Sequence, residues 1–307
     1  MLSFVLKRLA SAIPTLFVIV TLSFFLMRQV PGGPFNLARP LPPQTMENLN
    51  RVYHLDDPVW QQYLSYIWNV LHGDFGPSYV YRDYTVSEII LQKLPYSLQL
   101  GSMALLLAVV GGILIGTIAA LRQNSIVDVA VTAIGNIGIT IPNFVIGPVL
   151  ALVFGQILHW LPTGSWGDGS FSYLLLPMIT LALPELATFA RLMRGSMLEA
   201  LHADHIRTAK AYGLPAKLTI IAHAMRAGIL PIVTYLAPAA ASLLTGSVVV
   251  EKVFGIPGVG KDFVEGALNR DYTLVMGTVV LVSVFIIVFN LIVDLIYAWL
   301  DPRVRHD

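Results

Sequence analysis

The sequence predicts an all-α, polytopic membrane protein with six transmembrane helices and a helical insert on the extracytoplasmic side. Composition is the first observation behind this. Of 307 residues only 12% are charged and 56% are hydrophobic, with a mean hydropathy of +0.72. A soluble domain carries about 25% charged residues, so the charges here are too few to cover a water-facing surface. The second observation is where the charges fall. A spanning helix needs about 20 apolar residues, because lipid offers no partner for a backbone amide. Windows 9–27, 94–121, 129–167, 227–250 and 272–293 contain no Asp, Glu, Lys or Arg, and a sixth, 169–190, is interrupted only by Glu185. The end of the third window (His159, Trp160, Pro162, Gly164, Trp166, Gly167) reads as an interfacial loop, so that window holds one span.

The first window follows Lys7 and Arg8 and is too long for a signal-peptide core, so it reads as an uncleaved anchor preceded by a short tail, residues 1–30. Residues 31–93 form the insert, rich in Pro, Tyr, Trp and Asp. Within it 43–53 spaces Met46, Leu49 and Val52 as a helix, 58–71 does so with Trp60, Tyr63, Leu64, Ile67 and Trp68, and 72–77 is a turn cluster. The plain reading of the insert is a cap packed over the first two spans. The remaining five spans occupy 94–300, with a basic loop at 191–226 and a tail at 301–307. Cytoplasmic loops collect Lys and Arg. With the N-terminus inside, eleven basic residues (Lys7, Arg8, Arg122, Arg191, Arg194, Arg207, Lys210, Lys217, Arg226, Arg303, Arg305) lie inside, against eight outside (Arg28, Arg39, Arg51, Arg82, Lys93, Lys252, Lys261, Arg270). Both termini are therefore expected in the cytoplasm.

Gly112 and Gly116 make a GxxxG in the second span, a spacing that lets helix backbones approach closely. Pro142, Pro177, Pro184, Pro231 and Pro238 each remove an amide donor within a span; they either kink a bundle that changes shape or are simply tolerated there.

Several function classes fall away. A net charge of +1 argues against nucleic-acid binding, and the absence of cysteine excludes disulfides, thiol nucleophiles and Cys-based metal sites. No HExxH or GxSxG motif occurs, and Gly258-Val259-Gly260-Lys261-Asp262 only approximates the GxGD pattern of an intramembrane aspartyl protease. His202 and His205 share a helical face without acidic partners at ligand spacing, so no metal site is expected. Ionisable groups at membrane depth are functional candidates, which singles out Glu185 and, near the end of the last span, Asp294. Asn136, Asn143 and Asn290 suit interhelical hydrogen bonds; Asn136, Asn143 and Glu185 are the candidates for a translocation pathway.

The basic loop is the most informative segment. From Ser196 to Tyr212, Leu198, Leu201, His205, Ala209 and Tyr212 recur at steps of three and four, predicting one amphipathic helix that Gly213 and Pro215 terminate. Such a stripe needs a partner, either the membrane surface or a groove in a soluble protein.

This loop resembles the cytoplasmic motif of inner-membrane permeases of ATP-binding-cassette importers. Gly213 matches the motif glycine and Ala209 the last residue of its EAA element, whereas Arg207 and Thr208 depart from that element and His223-Ala224-Met225-Arg226 stands where I-x-L-P is expected. These departures are similar to the dipeptide and oligopeptide branch, whose pattern is also seen in residues 204–214, in 250–260 followed by Arg270-Asp271-Tyr272, and in the insert at 53–58 and 73–78. The resemblance runs nearly end to end. It implies a type I importer permease with a transmembrane domain over 94–300. The implied partners are a homologous second permease, two cytoplasmic ATPases that hold ATP and Mg, and a periplasmic peptide-binding protein delivering peptide. It also implies no cofactor in this chain and a multi-pass location in the inner membrane. Glu199, Asp204, Ile206, Arg207, Thr208, Ala209 and Gly213 would couple to an ATPase, Gly213 forming the tight exit of the coupling helix. No GxxxxGK[ST] occurs in the chain. Dipeptide, nickel and glycoside importers share these motifs. A self-sufficient secondary transporter would need inverted repeats and several midplane charges, which are not seen; a nonconducting membrane scaffold would not need the amphipathic loop to be coupled to ATP turnover.

Overall fold

A computed structural model of the chain describes residues 2–30, 43–52, 54–81 and 83–300. Residues 31–42, Tyr53, Arg82 and 301–307, with the expectations placed on Arg39, Arg303 and Arg305, lie outside the described residues, as do the side chains of Lys7, Met46, Leu49 and Val52. Among the described residues the regular elements are helical, with one isolated bridge between Pro77 and Thr85. In chain order they are α1 (Leu2–Gln29), α2 (Pro43–Val52), α3 (Val59–Leu71), α4 (Val86–Leu121), α5 (Ile126–Thr140) and α6 (Asn143–Leu150). There follow α7 (Phe171–His202), α8 (Asp204–Ala211), α9 (Ala216–Leu218), α10 (Met225–Gly228), α11 (Leu230–Phe254), α12 (Val259–Leu268) and α13 (Tyr272–Leu300). Wide π-turns at Ala151–Ile157 and Thr219–Ala224 extend α6 and join α9 to α10.

Among the described residues four stretches are long and apolar enough to cross a membrane: Ala10–Gln29, Val86–Leu121, Phe171–His202 and Tyr272–Ile296. Two bent pairs make six if each is one span. The third window is therefore not a simple kinked helix. Ile141 and Pro142 adopt extended backbone (ψ 123° and 147°), as the residue before a proline is pushed to do. Ile126–Thr140 and Asn143–Ile157 consequently meet at 108°. Pro231 has a milder effect, with 47° between Ala216–Gly228 and Leu230–Leu243. Pro177 and Pro184, by contrast, sit inside an unbroken α7.

The chain divides into two compact units, 1–97 with 257–288, and 98–256 with 289–307. In the first, α3 packs on the C-terminal part of α1. Phe24, only 1% exposed, stacks on Tyr66 at 5.5 Å and meets Tyr63 edge-on at 5.3 Å. Tyr272 and Met276 of α13 close this cluster. A second cluster joins Val86, Ile89 and Ile90 of α4 to Leu274 of α13. Gly277 permits that approach, since a Cβ there would lie 2.6 Å from Val86 Cγ1.

Two buried carboxylates fasten the same unit. Asp271, fully buried, precedes α13 and accepts from Leu274 N at 3.2 Å, the N-cap arrangement that satisfies an orphan amide of the first turn. It also accepts from Tyr79 N (3.2 Å), Val80 N (3.3 Å), Thr273 Oγ1 (3.0 Å) and Ser78 Oγ. Asp262, in the first turn of α12, pairs with Lys93 Nζ of α4 at 2.6 Å, and Ser97 Oγ accepts from Val259 N at 2.9 Å. The near-GxGD segment is thus the start of a helix whose aspartate is held by a lysine. Burial, more than any neighbouring charge, pushes the Asp262 carboxyl above its ordinary range, against the downward pull of Lys93.

In the second unit α7 is the central rod. Fourteen of its residues are buried, and α5, α6, α10 and α11 pack around it. The GxxxG of α4 faces it directly: a Cβ on Gly112 would meet Ala190 N and Leu186 O at 3.1 Å, and one on Gly116 would meet Met193 Cβ at 2.7 Å and also the Ala190 carbonyl. Gly138 of α5 lies similarly close to Leu183 (3.3 Å). Close backbone approach through small residues replaces the hydrophobic drive that lipid does not supply.

Candidate functional site

The expected single helix from Ser196 to Tyr212 is instead two. α7 runs through its last turn to His202, Ala203 turns extended (φ −66°, ψ 149°), and α8 begins at Asp204. The break resets the helical register, so the anticipated stripe does not form one face: His205 and Tyr212 are exposed while Leu198, Leu201 and Ala209 are half-buried. The residue that seats α8 is Ile206, fully buried against the π-turn and α7 side of the loop. Ile206, expected to couple to an ATPase, thus holds the helix to its own chain.

What α8 leaves free is polar. Asp204 and Arg207 side chains are 96% and 72% exposed and 3.6 Å apart, a surface pair worth about 0–1 kcal/mol and therefore readily exchanged for other partners. Thr208 is exposed and donates back to the Asp204 carbonyl at 3.0 Å. Asp204 lies in the first turn and Lys210 in the last, complementing the helix dipole. Glu199 is exposed on the final turns of α7. Gly213 takes the left-handed conformation (φ +75°) with no neighbour within 4 Å of a built Cβ, so its requirement is purely conformational. Leu214 N returns to Ala209 O at 3.2 Å and Gly213 N to Lys210 O at 3.0 Å, closing the helix end.

The intramembrane candidates are dispersed. Glu185, 5% exposed on α7, has one carboxylate oxygen without a hydrogen bond and interacts with Tyr235 of α11, which also touches Thr188 and meets Phe189 edge-on at 5.4 Å. Asn143 lies at the α5–α6 bend with its Oδ1 buried and unpartnered. Asn136 is exposed and lines a separate cavity of about 140 Å³ with Arg191 and Arg194.

Sequence reasoning missed the ion pair beside that cavity. Asp128, 3% exposed at the start of α5, receives Arg194 Nε at 2.5 Å and Nη2 at 2.8 Å, a bidentate pair joining α5 to α7. Asp128 Oδ2 also accepts from Asn124 N at 2.9 Å while Ser125 Oγ accepts from Asp128 N at 3.4 Å. Ser125-x-x-Asp128 is a capping-box spacing, the signal that could have placed Asp128 in a structured helix start.

Known proteins share both the sequence and the layout. The family described as "Binding-protein-dependent transport system inner membrane component" matches residues 112–306, and its N-terminal counterpart matches 1–101. The chain belongs to this family. It is accordingly a membrane component of a transport system and not itself an enzyme. The oligopeptide transport system permease protein OppB of Escherichia coli (strain K12) is 48% identical over 306 residues, covering 100% of both chains. OppB of Haemophilus influenzae is likewise 48% identical over 100% of each. The dipeptide transport system permease protein DppB of Bacillus subtilis (strain 168) is 42% identical over 99% of this chain and 98% of its own. Among solved structures, an amino acid ABC transporter crystallised with histidines superposes with a TM-score of 0.52 over 69% of this chain and 94% of its own, at 14% identity, a likeness of fold. In family terms, the segments that carry the resemblance also meet in space: the 73–78 turn and Arg270-Asp271-Tyr272 are tied together by Asp271.

Proposed function

We propose that this chain is a permease subunit of an ATP-driven oligopeptide importer in the inner membrane, with both termini cytoplasmic. It pairs with a homologous second permease, each forming half of the translocation pathway. The observation that carries the reading is the full-length 48% identity to oligopeptide permeases, against 42% to a dipeptide permease. Two cytoplasmic ATPases supply the energy and hold ATP and Mg, and an external binding protein delivers the peptide. The exposed edge formed by Glu199, Asp204, Arg207 and Thr208 docks on an ATPase, with Ala209 at its margin and Ile206 holding it to the chain. A helix so anchored passes a displacement of the ATPase to α7, the rod on which α5, α6, α10 and α11 pack. Glu185, Asn136 and Asn143 are proposed as polar groups along the pathway.

The test is to purify the intact complex, identify its subunits by mass spectrometry, and measure ATP hydrolysis and uptake in lipid with peptides of two to six residues. Hydrolysis and uptake stimulated by the longer peptides are expected; uptake by this chain without any ATPase overturns the reading, and stimulation by dipeptides alone moves it to a dipeptide importer. Gly213→Val, which forces a β-branched residue to φ +75°, is expected to distort the α8 exit at a cost of about 1–2 kcal/mol. It should uncouple hydrolysis from uptake with the protein still in the membrane, whereas Gly213→Asn keeps coupling. Normal uptake by the valine variant removes Gly213 from the coupling element.

A further inference from the structure

The insert was expected to be a cap standing outside the bilayer, yet α3 carries no charge. Its thirteen residues, VWQQYLSYIWNVL, contain two Trp and two Tyr and no Asp, Glu, Lys or Arg. Its inward side is Gln62, Tyr63, Tyr66, Ile67 and Val70, all half-buried. The outward side is an apolar row, Trp60, Leu64, Trp68 and Leu71, exposed by 61%, 56%, 65% and 75%. Water is a poor neighbour for four large apolar side chains in one continuous row.

The depth at which α3 sits says what covers the row. Tyr63 hydroxyl and Thr21 Oγ1 of α1 are hydrogen-bonded at 2.7 Å, and the Tyr63 ring lies 5.5 Å from Phe25 and 5.3 Å from Phe24. Arg28 of α1 donates to Gln62. Thr21 is well inside the apolar stretch Ala10–Gln29; at 1.5 Å per residue it lies about 12 Å from the end of that stretch. A stretch of this length matches the hydrocarbon thickness of about 30 Å. A helix hydrogen-bonded to Thr21 therefore sits beside the membrane-embedded part of α1, not above it. Leu22, Phe25 and Leu26, the exposed face of α1 at this level, stand beside α3, with Phe25 in ring contact with Tyr63 of its inward side. Gln61, Ser65 and Asn69, exposed beside the row, give the helix a polar edge for the headgroup level, and Trp is the residue favoured at that boundary.

We infer that α3 is an interfacial membrane helix whose Trp60, Leu64, Trp68 and Leu71 face is seated in one leaflet of the bilayer. It is continuous with the lipid-facing surface of α1 and anchors the insert to the membrane independently of any protein partner.

The sequence has no cysteine, so single-cysteine variants of the full chain, purified with its associated subunits in phospholipid vesicles, carry one nitroxide each. Labels at Leu64→Cys and Trp68→Cys are expected to collide with oxygen, which concentrates in lipid, and to be shielded from a water-soluble nickel chelate, as at Leu22→Cys on α1. A label at Glu47→Cys, exposed and ion-paired on α2, should show the reverse preference. Collision with the chelate at 64 and 68 makes the row a water-facing surface, and shielding from both reagents means that protein covers it; either result overturns the inference. Trp60→Phe/Trp68→Phe preserves the packing and gives a second measurement. Vesicles of brominated phospholipid should quench the tryptophan fluorescence of the parent protein more than that of this variant, and equal quenching overturns the inference.

Discussion

A graded glycine series on α4 tests whether close backbone approach holds α4 to α7. Gly101, Gly112 and Gly116 lie on the same helix, but a built Cβ meets nothing within 4 Å at Gly101. At Gly112 it meets Phe189 Cβ and, at 3.1 Å, two backbone atoms of α7; at Gly116 it meets Met193 Cβ at 2.7 Å and the Ala190 carbonyl. Replacing a helical glycine by alanine stabilises by about 0.5–1 kcal/mol where nothing opposes it. Overpacking costs about 1–3 kcal/mol, and backbone atoms of a central rod cannot move aside as a side-chain tip can. Gly101→Ala should therefore gain up to about 1 kcal/mol, and Gly116→Ala should lose about 1–2 kcal/mol once the propensity gain is subtracted from the overpacking cost. Gly112→Ala should fall near Gly116→Ala. The double variant at 112 and 116 should lose less than the sum, because one displacement of α4 relieves both contacts. The assay is reversible unfolding of the purified chain in mixed detergent micelles, followed by circular dichroism. Equal stabilities for Gly101→Ala and Gly116→Ala would refute the argument.

Three further outcomes follow from the buried charges. Asp271→Ala removes the α13 cap and leaves the Ser78 to Val80 turn without its acceptor, so about 2–4 kcal/mol should be lost; protease sensitivity within residues 73–81 should rise, and an unchanged cleavage pattern would remove Asp271 from that role. Arg194→Gln leaves Asp128 buried with the Asn124 amide but without its bidentate partner, so it should destabilise more than the Asp128→Asn/Arg194→Gln pair does, measured by thermal inactivation in detergent; simple additivity would count against coupling. At Asp262 the folded state binds a proton more readily than the unfolded chain, whose ordinary value is 3.8, so its stability contribution grows as pH falls through the raised value and is lost as pH rises through it. The melting temperature of the parent protein relative to Asp262→Asn should therefore increase from neutral toward acid pH, and a decrease would show that the Lys93 pair outweighs burial.

Legibility varied with how local the determining physics was. The charge-free windows marked the span helices because a lipid-embedded backbone must satisfy its own amides, a requirement each segment meets alone. Trp60, Tyr63, Leu64 and Trp68 announced α3, and Gly213 announced a helix end, since both follow from periodicity and from the left-handed backbone glycine permits. The same periodicity failed at Ala203: Leu201, His205 and Ala209 fit one stripe on paper, and an extended residue between Leu201 and His205 dissolved it. The burial of Ile206 was not legible from spacing, because it depends on which face of α8 meets α7 and the π-turn. For Pro142 the sequence left a kink and simple tolerance both open, and the size of the turn, 108°, came from the extended Ile141 and Pro142 acting together.

The sequence by itself determined that this chain lies in lipid, where its long apolar segments fall, and, through its glycines and charged motifs, which transport family it belongs to. These are properties of composition and of neighbours within a turn or two. Only the tertiary structure decided that Asp271 ties the 73–78 turn to α13, that Arg194 grips Asp128 across sixty-six residues, and that a charge-free helix of the insert lies beside the embedded part of α1. Those arrangements pair residues far apart in the chain, and a pairing of that kind is fixed by the packing of whole helices, which no local pattern encodes.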